Sequence, residues 1–218
     1  MGKALIAPSI LSADFSAMGN AVKEIENCGA DLVHCDVMDG VFVPNITFGI
    51  KMVKDIKPLT KLPLDVHLMI VEPERYLKQF IDAGADYLTV HYEACKRKVS
   101  DVLDEIRALG AKSAVSIKPD TPTEVLKDLI PHADMILLMS VYPGFGGQKF
   151  IENSIERLEE ITKMIKESGL NVLLEIDGGV TEENAGKIIK AGANVLVAGS
   201  TVFKAQDKKA TINNLKNA

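Results

Sequence analysis

Tryptophan is absent from the 218 residues, and cysteine is scarce at three. Cys28, Cys35 and Cys95 are odd in number and form no Cys-x-x-Cys, which argues against a disulfide framework. They read as reduced thiols of a cytoplasmic protein. Positive charge is not in excess: 25 Lys and Arg stand against 30 Asp and Glu, for a net charge of −5 and a pI near 5.5. Without a basic footprint, neither nucleic acid nor an anionic membrane is an expected partner. No apolar run approaches the roughly 18 residues of a membrane span. Met1-Gly2-Lys3-Ala4-Leu5-Ile6 has too short an apolar stretch for a signal peptide and no Ser or Thr for myristoylation. Asn45-Ile46-Thr47 matches a glycosylation acceptor, which in a non-secreted protein is a chance match. No linker rich in Ser, Gly or Pro divides the chain, so one domain over residues 1–218 is expected.

What is present is a repeat of short apolar runs. They are Ala4–Ser9, Asp31–Met38, Pro63–Met69, Asp86–His91, Lys112–Lys118, Asp134–Ser140, Val172–Asp177 and Asn194–Gly199. Each is strand-sized and apolar on both faces, as parallel strands covered on two sides must be. Helical spacing lies between them, as in Met18-Val22-Ile25, Val99-Leu103-Ile106 and Leu158-Ile161-Ile165. Cys28-Gly29-Ala30-Asp31, Ala83-Gly84-Ala85-Asp86, Leu109-Gly110-Ala111-Lys112 and Ala191-Gly192-Ala193-Asn194 each end a helix on glycine and launch a strand. Pro131-His132-Ala133-Asp134 reads as a variant of that turn. Eight strand–helix units predict an α/β protein of the (β/α)8 TIM-barrel class, with an open doubly wound sheet as the rival.

In a barrel, chemistry belongs at the carboxyl ends of the strands. The second strand ends His34-Cys35-Asp36-Val37-Met38-Asp39, where alternation puts His34, Asp36 and Met38 on one face. The third places Asp65, His67 and Met69 together, and the seventh Glu175 and Asp177. Inward-pointing His34, Asp36, His67 and Asp177 would converge at one mouth. Two imidazoles and two carboxylates suit Zn²⁺, Fe²⁺ or Mn²⁺, and charged groups inside a barrel are costly without a partner. Asp65 and Glu175 lie one layer deeper; at least one is expected to accept a hydrogen bond from a ligand imidazole, the alternative being a structural ion pair, for which Lys118 is one candidate partner. His91 ends the fourth strand, where it could lie near the site, and reads rather as structural; His132 lies at a helix end, away from the mouth. Met38, Met69 and Met139 read as packing that could line the mouth.

Glycine loops follow the last three strands: Pro143-Gly144-Phe145-Gly146-Gly147-Gln148, Gly178-Gly179-Val180-Thr181 and Gly199-Ser200-Thr201-Val202-Phe203. Glycine lets backbone N–H groups approach an anion, and such loops are where barrels of this kind hold phosphate. Thr181 reads as the start of a helix with acidic residues in its first turn. Lys149 stands where G-x-G-x-x-G needs its last glycine, and Gly186-Lys187 lacks the upstream glycine of a P-loop. No G-x-S-x-G supports Ser-His-Asp catalysis. A metal between two carboxylates and a phosphate clamp together fit a small phosphorylated ketose. Asp36 and Asp177 could approach one carbon from opposite faces, one removing a proton and the other returning one, through an enediolate stabilised by the metal.

These segments resemble the ribulose-phosphate 3-epimerase family over nearly the whole chain. Those carrying the likeness are Ile6-Ala7-Pro8-Ser9-Ile10-Leu11-Ser12-Ala13-Asp14-Phe15, His34-Cys35-Asp36-Val37-Met38-Asp39-Gly40, Val43-Pro44-Asn45 and Asp65-Val66-His67-Leu68-Met69. The run from Leu137 to Gln148, Glu175-Ile176-Asp177-Gly178-Gly179 and Val197-Ala198-Gly199-Ser200 complete them. The resemblance implies one divalent metal per subunit, held at His34, Asp36, His67 and Asp177. Zn²⁺ or Fe²⁺ is expected there, with Mn²⁺ or Co²⁺ as alternatives. It also implies Asp36 and Asp177 as the acid–base pair, and substrate contacts at Ser9, His67 and Asp177. Phosphate would be held mainly by the backbone of Gly144, Phe145, Gly146, Gly147, Gly178, Gly179, Gly199 and Ser200. The implied reaction is reversible epimerisation of D-ribulose 5-phosphate at C3, giving D-xylulose 5-phosphate in the pentose phosphate pathway, by a dimeric or hexameric homo-oligomer. Tyr142 and Tyr92 depart from the family pattern, where Asn and Pro are common. Rival readings are a D-allulose-6-phosphate 3-epimerase and a non-catalytic sugar-phosphate-binding barrel. A decarboxylase of the orotidylate type is disfavoured, because Met38 occupies the lysine place of its Asp-x-Lys-x-x-Asp motif.

Overall fold

The computed structural model describes residues 3–218; Met1 and Gly2, the start of the segment read above for a leader or acylation signal, lie outside the described residues. The eight expected strands form, within one or two residues of their sequence bounds. They are β1 (Leu5–Ala7), β2 (Val33–Met38), β3 (Leu64–Met69), β4 (Tyr87–His91), β5 (Lys112–Ile117), β6 (Met135–Met139), β7 (Leu173–Asp177) and β8 (Val195–Val197). All pair in parallel in the order β1-β8-β7-β6-β5-β4-β3-β2. The remaining seam, β1 to β2, is bridged where the His34 N–H donates to Pro8 O at 3.1 Å and Ser9 pairs with His34. That bridge decides between the two architectures: an open doubly wound sheet would leave β1 and β2 as separate edges, and here the sheet closes on itself.

The helices are α1 (Met18–Asn27), α2 (Ile50–Ile56), α3 (Leu77–Asp82), α4 (Val99–Ala108), α5 (Ser154–Ser168), α6 (Glu182–Ala191), α7 (Gly199–Phe203) and α8 (Lys208–Lys216). The apolar stripes read from the sequence are the faces they bury. Met18, Val22 and Ile25 of α1 and Val99, Leu103 and Ile106 of α4 all join the core between helices and sheet, as do Leu158 and Ile161 of α5; Ile165 is half-buried. Gly29, Gly84, Gly110 and Gly192 all have positive φ, as the helix-stop reading requires.

One strand–helix unit departs from the expected repeat. Between β5 and β6 the chain makes two 3-10 turns, Thr123–Leu126 and Ile130–His132, and no α-helix. Pro119, Pro122 and Pro131 punctuate this segment, and proline supplies no N–H to a helical ladder. The count of helices is made up after β8, where α7 and α8 both follow.

Inside the barrel, Ala7, Leu32, Ala114, Met135, Val195 and Val197 form an apolar cluster that reaches up to Val197, the register partner of Asp177. The polar residues Asp36, His67 and Asp177 stand toward the carboxyl ends of their strands, and His34 pairs with Ser9 beyond the end of β1. Among the described residues, no helix is long and apolar enough to cross a membrane. Cys28, Cys35 and Cys95 are all free thiols, as expected.

Candidate active site

Strand alternation delivers four side chains to one point. One ligand atom each from His34, Asp36, His67 and Asp177 lies within 4.8 Å of every other. His34 and His67 are fully buried, Asp36 is buried, and Asp177 is half-buried. Asp36 is the hub. Its Oδ1 lies 3.2 Å from His34 Nε2 and 3.0 Å from His67 Nδ1, while its Oδ2 accepts the Ser9 hydroxyl at 2.5 Å. Spacings of roughly 3–3.4 Å are those of neighbouring ligands bonded at about 2.0–2.1 Å to one ion. The donor set, two nitrogens and two carboxylates, therefore fits a divalent transition metal in chemistry, and Asp36 with the two imidazoles fits it in spacing.

The layer beneath supplies the expected imidazole acceptor and excludes Lys118 as its partner. Asp65 accepts the Nδ1–H of His34, which leaves Nε2 facing Asp36. Lys118 pairs with neither Asp65 nor Glu175. Its ammonium lies 3.8 Å from the centroid of the Phe42 ring, so Lys118 is not the partner of an ion pair here; the charged group facing Asp65 and Glu175 is His34. Glu175 is fully buried, its Oε1 is 3.7 Å from His34 Nδ1, and neither oxygen has a hydrogen-bond partner.

Electrostatics separate these groups. Burial opposes charge on His34, yet Asp65 and Asp36 outweigh it and push the ring well above its ordinary value. Burial also opposes charge on Asp36, but His34 and His67 outweigh it and hold that carboxyl far below its usual range. Asp177 moves the other way, up to about 6, through burial and then the charge of Asp36. Glu175 rises well above a normal carboxylate through burial and then the charge of Asp65. The two candidate acid–base carboxyls thus differ in how readily they hold a proton.

Above the cluster opens a cavity of about 450 Å³. Ser9, Asp36, Asp177, Gly144, Phe145, Gly146, Gly147, Gly178, Gly179, Gly199 and Ser200 all line it, as do Met38, Met69 and Met139. Every residue singled out for substrate contact reaches it except His67, which lies beneath the floor against Asp36. Asn45 of the chance glycosylation match donates from Nδ2 to Gly144 O at 2.9 Å, tying the loop after β2 to the loop after β6. Thr47 of the same match donates to Asp36 O at 2.7 Å. Tyr142 donates to Asp120 at 2.7 Å on the exposed side, and Gln148 braces the loop through Tyr142 O and Phe145 O.

Gly178 and Gly179 are required by their geometry. Gly178 has φ +122°, and a Cβ there would come within 2.5 Å of Val141; Gly179 has φ +62°, with Phe150 N at 2.4 Å from a Cβ. The turn is pinned by Asn184, which accepts the Thr181 N–H at 2.8 Å and donates to Gly179 O at 2.9 Å, so Thr181 does open α6. Gly179→Ala is expected to cost about 2–4 kcal/mol through backbone strain and overpacking. A urea midpoint equal to the parent's would contradict this geometry.

His91, expected near the site in a structural role, lies against His67. It is fully buried, with Nε2 2.9 Å from His67 Nε2 and Nδ1 3.2 Å from Glu93 Oε2. Burial holds its ring down at about 4. Burial alone would raise Glu93, but hydrogen bonds from His91, the Lys118 N–H and the Thr121 hydroxyl hold it at about 2. The signal was available in Thr89-Val90-His91-Tyr92-Glu93, whose alternation continues inward past the strand end.

Residues 5–203 match the Ribulose-phosphate 3 epimerase family. The chain belongs to that family. It is 49% identical over 214 residues to the ribulose-phosphate 3-epimerase of Bacillus subtilis, covering 98% of each chain. It is also 49% identical over 213 residues to the chloroplastic ribulose-5-phosphate-3-epimerase of Arabidopsis thaliana, covering 97% of this chain and 76% of that protein. A tryptophan synthase alpha-subunit from Pyrococcus furiosus superposes with a TM-score of 0.71 over the full length of both chains at 16% identity, a likeness of fold alone. The segments that carried the family resemblance are the ones that build the cavity and its floor.

Proposed function

We propose that this epimerase-family chain interconverts D-ribulose 5-phosphate and D-xylulose 5-phosphate by proton transfer at C3 through an enediolate. One juxtaposition carries the reading. Asp36 and Asp177 meet two imidazoles at the floor of a cavity whose rim is made of three glycine loops.

His34, Asp36, His67 and Asp177 would hold one divalent cation, with Zn²⁺ or Fe²⁺ suited to this donor set and Mn²⁺ or Co²⁺ as alternatives. When bound, such an ion supplies Lewis-acid charge to the ketose oxygens as they become anionic. The backbone of Gly144 to Gly147, Gly178-Gly179 and Gly199-Ser200 holds the phosphate, with Phe145 at the cavity edge. Ser9, fixed on Asp36, orients the sugar beside it, while His67, beneath the floor, would serve only as a ligand to the ion. Met38, Met69 and Met139 keep water from the reacting carbon.

Asp36 reaches the floor from β2 and Asp177 from β7, with β1 and β8 between them around the barrel. One takes the C3 proton and the other returns a proton to the opposite face. The hydrogen bonds to Asp36 favour its carboxylate, whereas Asp177 retains a proton more readily; an acid–base pair needs this asymmetry. Such help is worth roughly 10²–10⁴-fold in rate. The same resemblance carries a cytoplasmic location, a place in the pentose phosphate pathway and a homo-oligomer, dimer or hexamer.

The test is turnover in deuterium oxide on two substrates. Ribulose 5-phosphate should gain deuterium at C3 and exceed allulose 6-phosphate in kcat/KM by roughly 10–200-fold, the scale of one added group in a fitted pocket. Preference for the hexulose would reassign the substrate. Active protein that incorporates no deuterium would remove the proton-transfer mechanism, and metal-loaded protein that binds both sugars without turnover would make this a binding barrel.

A further inference from the structure

The two candidate ligand imidazoles are oriented by different means. His34 gives its Nδ1–H to Asp65, so its Nε2 faces the cluster. His67 presents the opposite nitrogen: Nδ1 lies 3.0 Å from Asp36 Oδ1, and Nε2 points away to His91 Nε2 at 2.9 Å. Between two imidazole nitrogens at that distance there is room for one hydrogen, so one ring donates and the other accepts.

Glu93 decides the direction. Its Oε1 accepts the Lys118 N–H at 2.8 Å and the Thr121 hydroxyl, and its Oε2 faces His91 Nδ1 at 3.2 Å. A carboxylate only accepts, so His91 carries its hydrogen on Nδ1 and leaves Nε2 bare. His67 must then carry its hydrogen on Nε2, which leaves the lone pair of Nδ1 free on the side of Asp36.

We propose that Glu93 and His91 are positioning residues that fix the tautomer and ring orientation of His67, holding its Nδ1 lone pair toward the metal. The inference rests on the metal reading above and extends it to a second support beside Asp65. Each ligand imidazole then ends on a carboxylate, His34 directly on buried Asp65 and His67 through His91 on half-buried Glu93. Partners of this kind typically change metal affinity by roughly 10–100-fold when removed.

The experiment is competition for Zn²⁺ between a chromophoric chelator and metal-stripped protein, for the parent, His91→Gln and His91→Leu. Glutamine keeps both roles, since its carbonyl oxygen accepts from His67 and its amide donates to Glu93; leucine keeps neither. His91→Leu should bind Zn²⁺ roughly 10–100-fold more weakly, and His91→Gln within a few-fold of the parent. Equal affinity in the leucine variant, or equal loss in both variants, would overturn the relay while leaving the metal site intact. A parent protein that binds no Zn²⁺ would overturn the metal reading itself. Nitrogen-15 spectra of histidine-labelled parent protein give a readout that does not depend on the variants folding. Hydrogens on Nε2 of His67 and Nδ1 of His91 support the relay, and a hydrogen on Nδ1 of His67 refutes it.

Discussion

Asp36→Asn and Asp177→Asn are each expected to abolish measurable epimerisation, with a loss of roughly 10²–10⁴-fold from the proton-transfer role alone. Asparagine matches aspartate in shape, so the barrel should survive either change. It cannot take a proton at this carbon, and it is a weaker metal ligand than a carboxylate. The two variants should differ in what remains. Each keeps one carboxyl, so each should still exchange the C3 proton of one epimer with solvent, slowly, and leave the other epimer untouched. Complementary exchange would place the two carboxyls on opposite faces of the substrate carbon. Metal content, measured on the same samples, separates lost ligation from lost proton transfer. Near-normal turnover in either variant would contradict the assigned roles.

Stripping divalent cations is expected to produce an equally large loss, reversible on adding one ion per chain. The physical reason is the charge buried at the floor. Asp36, Asp65 and Glu175 are buried carboxyls and Asp177 is half-buried, and without a cation their charge is offset by the imidazoles beside Asp36 and by protons on the carboxyls whose values are raised. An ion at 100 times its Kd adds about 2.7 kcal/mol of stability. For a chain of this size that corresponds to a Tm about 5–10 °C higher in the loaded protein. His34→Ala should remove both the activity and the thermal shift. Full activity after rigorous chelation would dismiss the metal, whatever the melting temperature did.

Much of the barrel was legible because burial on both faces leaves a plain record. A strand covered by helices outside and side chains inside reads as a continuous apolar run, and β2 through β7 are of that kind. The charged exceptions inside those runs were legible for the same reason: His34, Asp36, His67 and Asp177 stand where an apolar residue would otherwise be required. Gly29, Gly84, Gly110 and Gly192 marked helix ends because few other residues tolerate a left-handed backbone. The missing helix between β5 and β6 was less legible, since Thr123-Glu124-Val125-Leu126 carries ordinary helical spacing and only the flanking prolines argue against it.

Residue order alone determined the parallel strands, the face each strand turns inward and the carriers of ligand chemistry, because alternation along a strand is a local rule. Closure of β1 onto β2, the meeting of Asp36 with Asp177, and the rise of one carboxyl beside the depression of the other were decided only in three dimensions. So were the partners of the deeper layer: Asp65 went to His34, Lys118 went to Phe42, and His91 joined His67 to Glu93. Those outcomes depend on distances between groups far apart in the chain and on their shared exclusion from water, and neither is a property of any one segment.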